Sequence, residues 1–222
     1  MTIDELTASR REEIIAACRK AYETKSVHQT KMSDIAKYVS FSRPTIYNYF
    51  ETKEEVFLAL FQTEFTRWAA DLDAIQPTKP FLSGTSSERA KRVSEFTAAV
   101  DASLAERQVV FRILSMNFHD MQTRSRREHF AAFQNALLGA REAVVRAVAR
   151  AFPSTTDADR AWFSDRFGAC LFGSIPYTIV REQDVSMMTA GRAGKLLAKA
   201  RECVREMFIL LLTAIVDADD AP

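Results

Sequence analysis

The chain is short of almost everything that would interrupt a helix. Its 222 residues include only six glycines and six prolines, and few stretches alternate polar and apolar residues in the way a strand requires. Cysteine is scarce too. Cys18, Cys170 and Cys203 are odd in number, far apart and without a C-x-x-C pair, which argues against a disulfide framework or a zinc site and for buried thiols in a reducing compartment. Also missing is a long hydrophobic run. Met207–Val216 is the longest apolar stretch, half of the ~20 residues a bilayer span needs. The polar, acidic opening Met1-Thr-Ile-Asp-Glu has no signal-peptide core, so a cytoplasmic protein without a membrane partner is expected. A large charge of one sign is absent as well: the formal net charge is +1, which excludes a polybasic nucleic-acid coat.

What remains is an ordinary globular composition, 47% hydrophobic and 27% charged, with apolar residues recurring at helical spacing nearly throughout. The expected fold is all-α. Periodicity and breakers place helices at about 9–22, 33–38, 43–49, 52–74, 87–104, 107–118, 125–151, 157–173 and 189–216. Pro77, Pro80 and Gly84 mark the clearest loop, Pro153 a firm boundary, and Gly173-Ser-Ile-Pro176 a break or kink in the penultimate helix. Thr52-Lys53-Glu54-Glu55 has the form of a capping box.

Chemistry concentrates near the N-terminus. Between Lys20 and Lys53 six cationic residues face three acidic ones, a local excess of the sign that DNA attracts. Within this stretch, Asp34–Phe50 reads as two short helices and a tight connection. Ile35, Ala36 and Val39 point inward from the first, while Ile46 and Phe50 anchor the second. Ser42 can cap that second helix, and Pro44 falls in its first turn, where a missing N–H costs nothing. Arg43, Thr45, Tyr47, Asn48 and Tyr49 are left facing outward. This polar and aromatic set is able to bond base edges and phosphates, unlike the Glu/Lys-rich face of a merely solvated helix.

Ile14-Ile-Ala-Ala17, Tyr22, Thr30, Asp34-Ile-Ala36, Ser42-Arg-Pro-Thr-Ile-Tyr47, Tyr49-Phe50 and Thr52-Lys53 follow one another in an ordered spacing that closely resembles the N-terminal signature of the tetracycline-repressor (TetR) family. The resemblance covers about a fifth of the chain and implies a helix-turn-helix DNA-binding domain over residues 1–56. A helical effector-binding and dimerisation domain would follow over 57–222. It implies phosphate contacts for Thr30, Ser42 and Lys53, and base contacts for Arg43, Thr45 and Asn48 beside Pro44. Tyr47 and Tyr49 would meet the backbone or thymine methyls. The family's usual glycine before the recognition helix is replaced by Ser40-Phe41, so Ser40 is expected to take a left-handed conformation; Ser26 stands where a second glycine is frequent.

The resemblance further implies a small, largely apolar effector among the middle helices. Candidate wall residues are Trp68, Phe96, Phe111, Leu114, Phe118, Phe133, Phe172 and Tyr177, with Asn117 or His119 as polar anchors. No Gly-rich phosphate loop or nucleophile constellation stands out, so neither an enzyme nor a cofactor is expected. His119 and His129 are ten apart, unsuited to one metal, and read as surface or loop histidines. The final two helices carry apolar stripes, and the last is apolar over more than half its circumference, so it must bury two faces. Phe163, Phe167, Leu171, Leu197, Val204, Phe208 and Leu211 are the expected homodimer interface. The function expected is a ligand-responsive repressor binding a palindromic operator as a homodimer; the alternative is a double-stranded-DNA-binding protein without an effector.

Overall fold

A computed structural model describes the chain apart from residues 1, 24, 26, 28, 78, 106, 108–117, 179–189 and 218–222. Within helices, the side chains of 23, 118, 174–178 and 190–201 also stand outside the description. Among the described residues there are nine α-helices and no strand, so the fold is all-α as expected. The helices are α1 (Ile3–Glu23), α2 (Met32–Ile35), α3 (Arg43–Ile46), α4 (Lys53–Ala74) and α5 (Ser86–Ala105), then α6 (Phe118–Thr123), α7 (Arg127–Ala151), α8 (Asp157–Thr178) and α9 (Ala190–Val216). No described helix is long and apolar enough to cross a membrane.

Side-chain caps set several helix starts. α1 begins six residues before the expected Ser9, because Thr2 Oγ1 accepts the Glu5 N–H at 3.2 Å while Glu5 Oε2 accepts the Thr2 N–H at 2.7 Å. The same reciprocal box, Thr85 with Glu88 and Thr156 with Asp159, opens α5 and α8. At α4, Thr52 Oγ1 accepts the Glu55 N–H at 3.3 Å, but Glu55 reaches one residue further back and accepts from the Glu51 N–H at 2.8 Å. Of the break or kink expected at Gly173–Pro176, the break is not there. α8 continues through Pro176 to Thr178, a proline costing such a helix one N–H donor without ending it. The expected helix at 107–118 lies almost wholly outside the described residues.

The chain divides into two compact units, Met1–Thr66 with Met116–Leu138, and Arg67–Ser115 with Gly139–Pro222. This division is drawn differently from the expected boundary at 56/57: it falls inside α4 and α7, and residues 57–66 and 116–138 go with the N-terminal helices. The first unit has its core in Ile14, Cys18, Ile35, Ile46, Phe50, Phe57 and Phe61, all fully buried. Phe133 of α7 meets Phe61 edge to face, with ring centroids 4.8 Å apart.

In the second unit α9 packs along α8 and α5. Phe208 sits at the centre, edge-on to Phe167 at 4.8 Å and to Phe163 at 5.4 Å, and stacked with Phe96 at 6.2 Å. Phe152, just beyond α7, takes the edge of Phe96 at 5.7 Å. The loop before α5 is tied in where the Phe81 N–H donates to the Ala151 carbonyl at 2.9 Å.

Candidate nucleic-acid interface

A helix of four residues cannot hold itself, since nucleation costs more than one turn of hydrogen bonds returns. α3 is such a helix, shorter than the expected 43–49. Beyond Ile46 the chain continues as turns, with Asn48 and Tyr49 N–H groups donating to the Thr45 and Ile46 carbonyls at 3.2 and 2.9 Å. Burial holds this segment instead: Ile46 and Phe50 are fully buried, as their spacing of four residues implied. Their burial turns the opposite side outward. Arg43, Pro44, Tyr47 and Asn48 are exposed, and Thr45 and Tyr49 half-buried.

The outward set is organised before any ligand arrives. The Arg43 guanidinium lies 5.7 Å from the Tyr47 ring centre, and its Nη2 donates to the Tyr47 hydroxyl at 3.0 Å. Ser42 stands at the N-cap position in extended conformation with no capping bond; its hydroxyl pairs instead with Thr45 Oγ1 at 3.0 Å. Four neighbouring side chains thus present donors and acceptors in fixed pairs.

The turn before α3 differs from expectation. No described non-glycine residue has a positive φ, so Ser40 is not left-handed. Its substitute for glycine is a tether from α1: Glu13 accepts both the Ser40 N–H and, at 3.1 Å, the Ser40 hydroxyl, while Arg10 lies 5.6 Å from the Phe41 ring centre. Ser26 lies outside the described residues.

Two other expected contacts are placed elsewhere. Thr30 is fully buried and offers no surface to a phosphate. Lys53 is half-buried, and its ammonium donates to the Val27 carbonyl at 3.0 Å. Beside them a cleft of about 530 Å³ is lined by Lys25, Gln29, Lys31, Ser33 and Asp34. Asp34 organises it, taking Lys25 Nζ at 2.8 Å, Lys37 Nζ at 3.1 Å and the Lys31 N–H at 3.1 Å. The hydrogen bonds from Lys25 and then Lys37 hold its carboxyl far below the usual carboxylate range. The sequence counted these lysines as patch charge; the carboxylate that gathers them was legible only as part of Asp34-Ile-Ala36.

Sequence reasoning missed a second constellation. Glu55 in the first turn of α4 is fully buried, and Arg126, just before α7, grips it from two sides. Arg126 Nε and its backbone N–H donate to Glu55 Oε1 at 2.8 and 2.9 Å, and Nη2 donates to Oε2 at 2.9 Å and to the Tyr49 carbonyl at 3.1 Å. Burial alone would raise the Glu55 pKa; the Arg126 hydrogen bonds and the Glu51 N–H outweigh it and bring the carboxyl down to about 2. His129 belongs to this cluster and is no surface histidine. Its ring lies 5.5 Å from that of Phe50, its Nε2 2.8 Å from Arg126 Nη2, and burial lowers its pKa.

The residues expected to line an effector cavity are divided between the two units or lie outside the described residues. Phe133 lies in the core of the first unit. Trp68 and Phe96 lie in the second, where Phe96 is ordinary core and the Trp68 indole N–H donates to Ser103 Oγ at 3.1 Å. Phe172 is half-buried and His119 exposed. Phe111, Leu114 and Asn117 fall outside the described residues, as do the side chains of Phe118 and Tyr177. Of the expected dimer residues, Phe163, Phe167, Leu171 and Phe208 are 0%, 4%, 4% and 4% exposed, closed within their own unit. Val204 and Leu211 are half-buried, and the Leu197 side chain lies outside the description. Among the described residues no cluster of three or more His, Cys, Asp or Glu could hold a metal.

Two family models match the chain: "Bacterial regulatory proteins, tetR family" over residues 14–60, and "Tetracyclin repressor-like, C-terminal domain" over 62–213. In fold it is similar to the crystal structure of a TetR transcriptional regulator from Rhodococcus sp. RHA1. That match has a TM-score of 0.53 at 15% identity and covers 92% of this chain and 98% of the other. No curated protein matches the chain in sequence.

Proposed function

The chain belongs to the tetR family of bacterial regulatory proteins and is a DNA-binding transcriptional regulator, and on that premise we propose that it is a ligand-responsive repressor that binds a palindromic operator as a homodimer. One observation carries the DNA-contacting surface: Arg43, Tyr47 and Asn48 stand exposed, with Thr45 beside them, on a single turn fixed from behind by Ile46 and Phe50. Arg43, Thr45 and Asn48 are assigned to base edges; Tyr47, Tyr49 and Ser42 to the backbone, with Pro44 beside them. Lys53 has a partial role, Lys25, Lys31 and Lys37 supply phosphate charge around the cleft, and buried Thr30 is left out.

A reading surface of one turn supports dimerisation, because one half-site gives too little affinity and two half-sites would lie about 34–36 Å apart. The copy-to-copy surface is assigned to the outer side of α8 and α9. There Trp162, Ala169, Gly173, Leu210 and Ala214 are exposed, and Arg166 covers the Trp162 ring at 4.1 Å. The effector would be small and mostly apolar; half-buried Phe172 and exposed His119 are the described candidates that keep open surface.

The test is binding of the full chain to DNA from beside its own gene, at fixed salt with competitor DNA, by fluorescence anisotropy. Saturable binding with a stoichiometry of two chains per site is expected, and binding no tighter than to competitor would refute the proposal.

A further inference from the structure

We propose that Arg126, which lies 77 residues beyond Tyr49 at the end of the reading turn, positions that turn for DNA, and that a neutral His129 keeps Arg126 in place, so that protonating this one histidine loosens the reading head. The inference rests on the DNA-binding reading above for its meaning, but its geometry stands by itself.

Arg126 Nη2 carries two N–H groups and has three acceptors within reach: Glu55 Oε2 at 2.9 Å, the Tyr49 carbonyl at 3.1 Å and His129 Nε2 at 2.8 Å. The Tyr49 carbonyl is the end of the turn that carries Arg43 to Asn48, and the next residue is its buried anchor Phe50. Arg126 therefore joins the end of the reading turn to the start of α4 and the start of α7 through one planar group. Its Nε and backbone N–H on Glu55 Oε1 fix the plane, and the carboxylate they grip is fully buried.

His129 can accept from Arg126 only while its Nε2 is unprotonated. Once protonated, Nε2 becomes a donor 2.8 Å from a guanidinium nitrogen and must turn toward Glu55 Oε2, now 3.6 Å away, where it competes with Arg126. Every charged group that faces this ring takes part. Glu55 on α4 and Glu128 beside it favour the proton; Arg126 and, from α1, Arg11 oppose it. Glu51 acts through Arg126, lying 3.6 Å from Nη1. The Phe50 ring against the imidazole adds the cost of desolvation. The same protonation that charges His129 thus pulls on both ends of the clamp.

The test uses the full chain and a duplex selected by the wild-type protein from a random-sequence pool at neutral pH. Anisotropy is read at pH 7.5 and 5.5 at one ionic strength, and hydrogen exchange of the 43–52 amides is read without DNA. Arg126→Gln is expected to bind on the order of tenfold more weakly at pH 7.5 and to speed exchange at 47–51, while amides of α5 keep their protection. Acidification is expected to weaken the wild type by on the order of tenfold. His129→Gln, whose amide oxygen accepts from Arg126 at both pH values, is expected to lose that pH dependence. Unchanged binding and exchange in Arg126→Gln, or a wild-type pH profile in His129→Gln, would overturn the proposal. If Arg126→Gln loses protection in α5 as well, the His129→Gln profile decides alone. If the wild type selects no duplex, the regulator reading fails, while the exchange arm still decides on the clamp.

Discussion

Truncating Phe208 to alanine separates the core of the second unit from a surface between copies. The ring is 4% exposed and is met by Phe163, Phe167 and Phe96, so Phe208→Ala removes a large side chain from a site closed on all sides. Truncation of a buried phenylalanine costs roughly 3–5 kcal/mol, the lost transfer energy plus the cavity left behind. At about 2–4 °C per kcal/mol for a chain of this size, the loss corresponds to roughly 6–20 °C in Tm. Both tryptophans, Trp68 and Trp162, lie in the same unit, so urea unfolding followed by their fluorescence reads the right part of the molecule. The companion is Leu210→Ala, two residues along α9 but 68% exposed. Its subunit stability is expected to stay within about 0.5 kcal/mol, while sedimentation equilibrium shows weaker dimerisation. A Phe208→Ala protein that kept its urea midpoint but sedimented as a monomer would refute this reasoning and return Phe208 to the interface.

Tyr47→Ala removes both the face and the hydroxyl that hold Arg43, and is expected to weaken operator binding on the order of tenfold with sedimentation mass unchanged; loss of the dimer would mean the turn is misplaced. Ser40→Gly is expected to destabilise by about 1 kcal/mol, since no left-handed backbone needs relieving and one bond to Glu13 is lost. A glycine that raised the thermal midpoint would show the turn to be strained after all. The Glu55 carboxyl, lowered from 4.5 to about 2, stabilises the fold fully above its ordinary value, and that contribution is lost as pH falls from 4.5 toward 2. The stability gap between His129→Gln and His129→Gln with Glu55→Gln, read by circular dichroism in urea, is therefore expected to be constant above about pH 5.5 and to shrink toward pH 2. A gap independent of pH would count against the Arg126 grip.

The sequence made legible whatever is decided within a few residues. Ile46 and Phe50 four apart, with Pro44 in the first turn, determine which side of α3 is buried, and hence which side is open for the proposed DNA contact. It could not show what covers an apolar stripe. The stripe through Phe163, Phe167 and Phe208 has the same periodicity whether it meets its own unit or a second copy, and in the folded chain the three rings close on each other. Nor does a local pattern link Glu55 to Arg126, 71 residues apart. Spacing sets His129 apart from a metal motif, yet its neighbour Phe50 becomes visible only when α7 is in place. Thr30 sits in a polar stretch, and only the packed structure shows it wholly enclosed.

These long-range tethers have a common consequence. α3 supplies almost no stability of its own, so the orientation of Arg43, Thr45, Tyr47 and Asn48 is the sum of restraints arriving from elsewhere. Ile46 and Phe50 fix its depth in the core. Glu13 of α1 fixes the turn before it, and Arg126 fixes the turn after it. Two of the three restraints are charged or polar groups, and such contacts shift by exchange of partners, whereas a packed ring does not move without a cavity. A DNA-reading surface held in this way can change its angle while its core stays intact. Regulation of this protein is therefore expected to act through the polar tethers at Glu13 and Arg126, leaving the buried pair Ile46 and Phe50 as the fixed pivot.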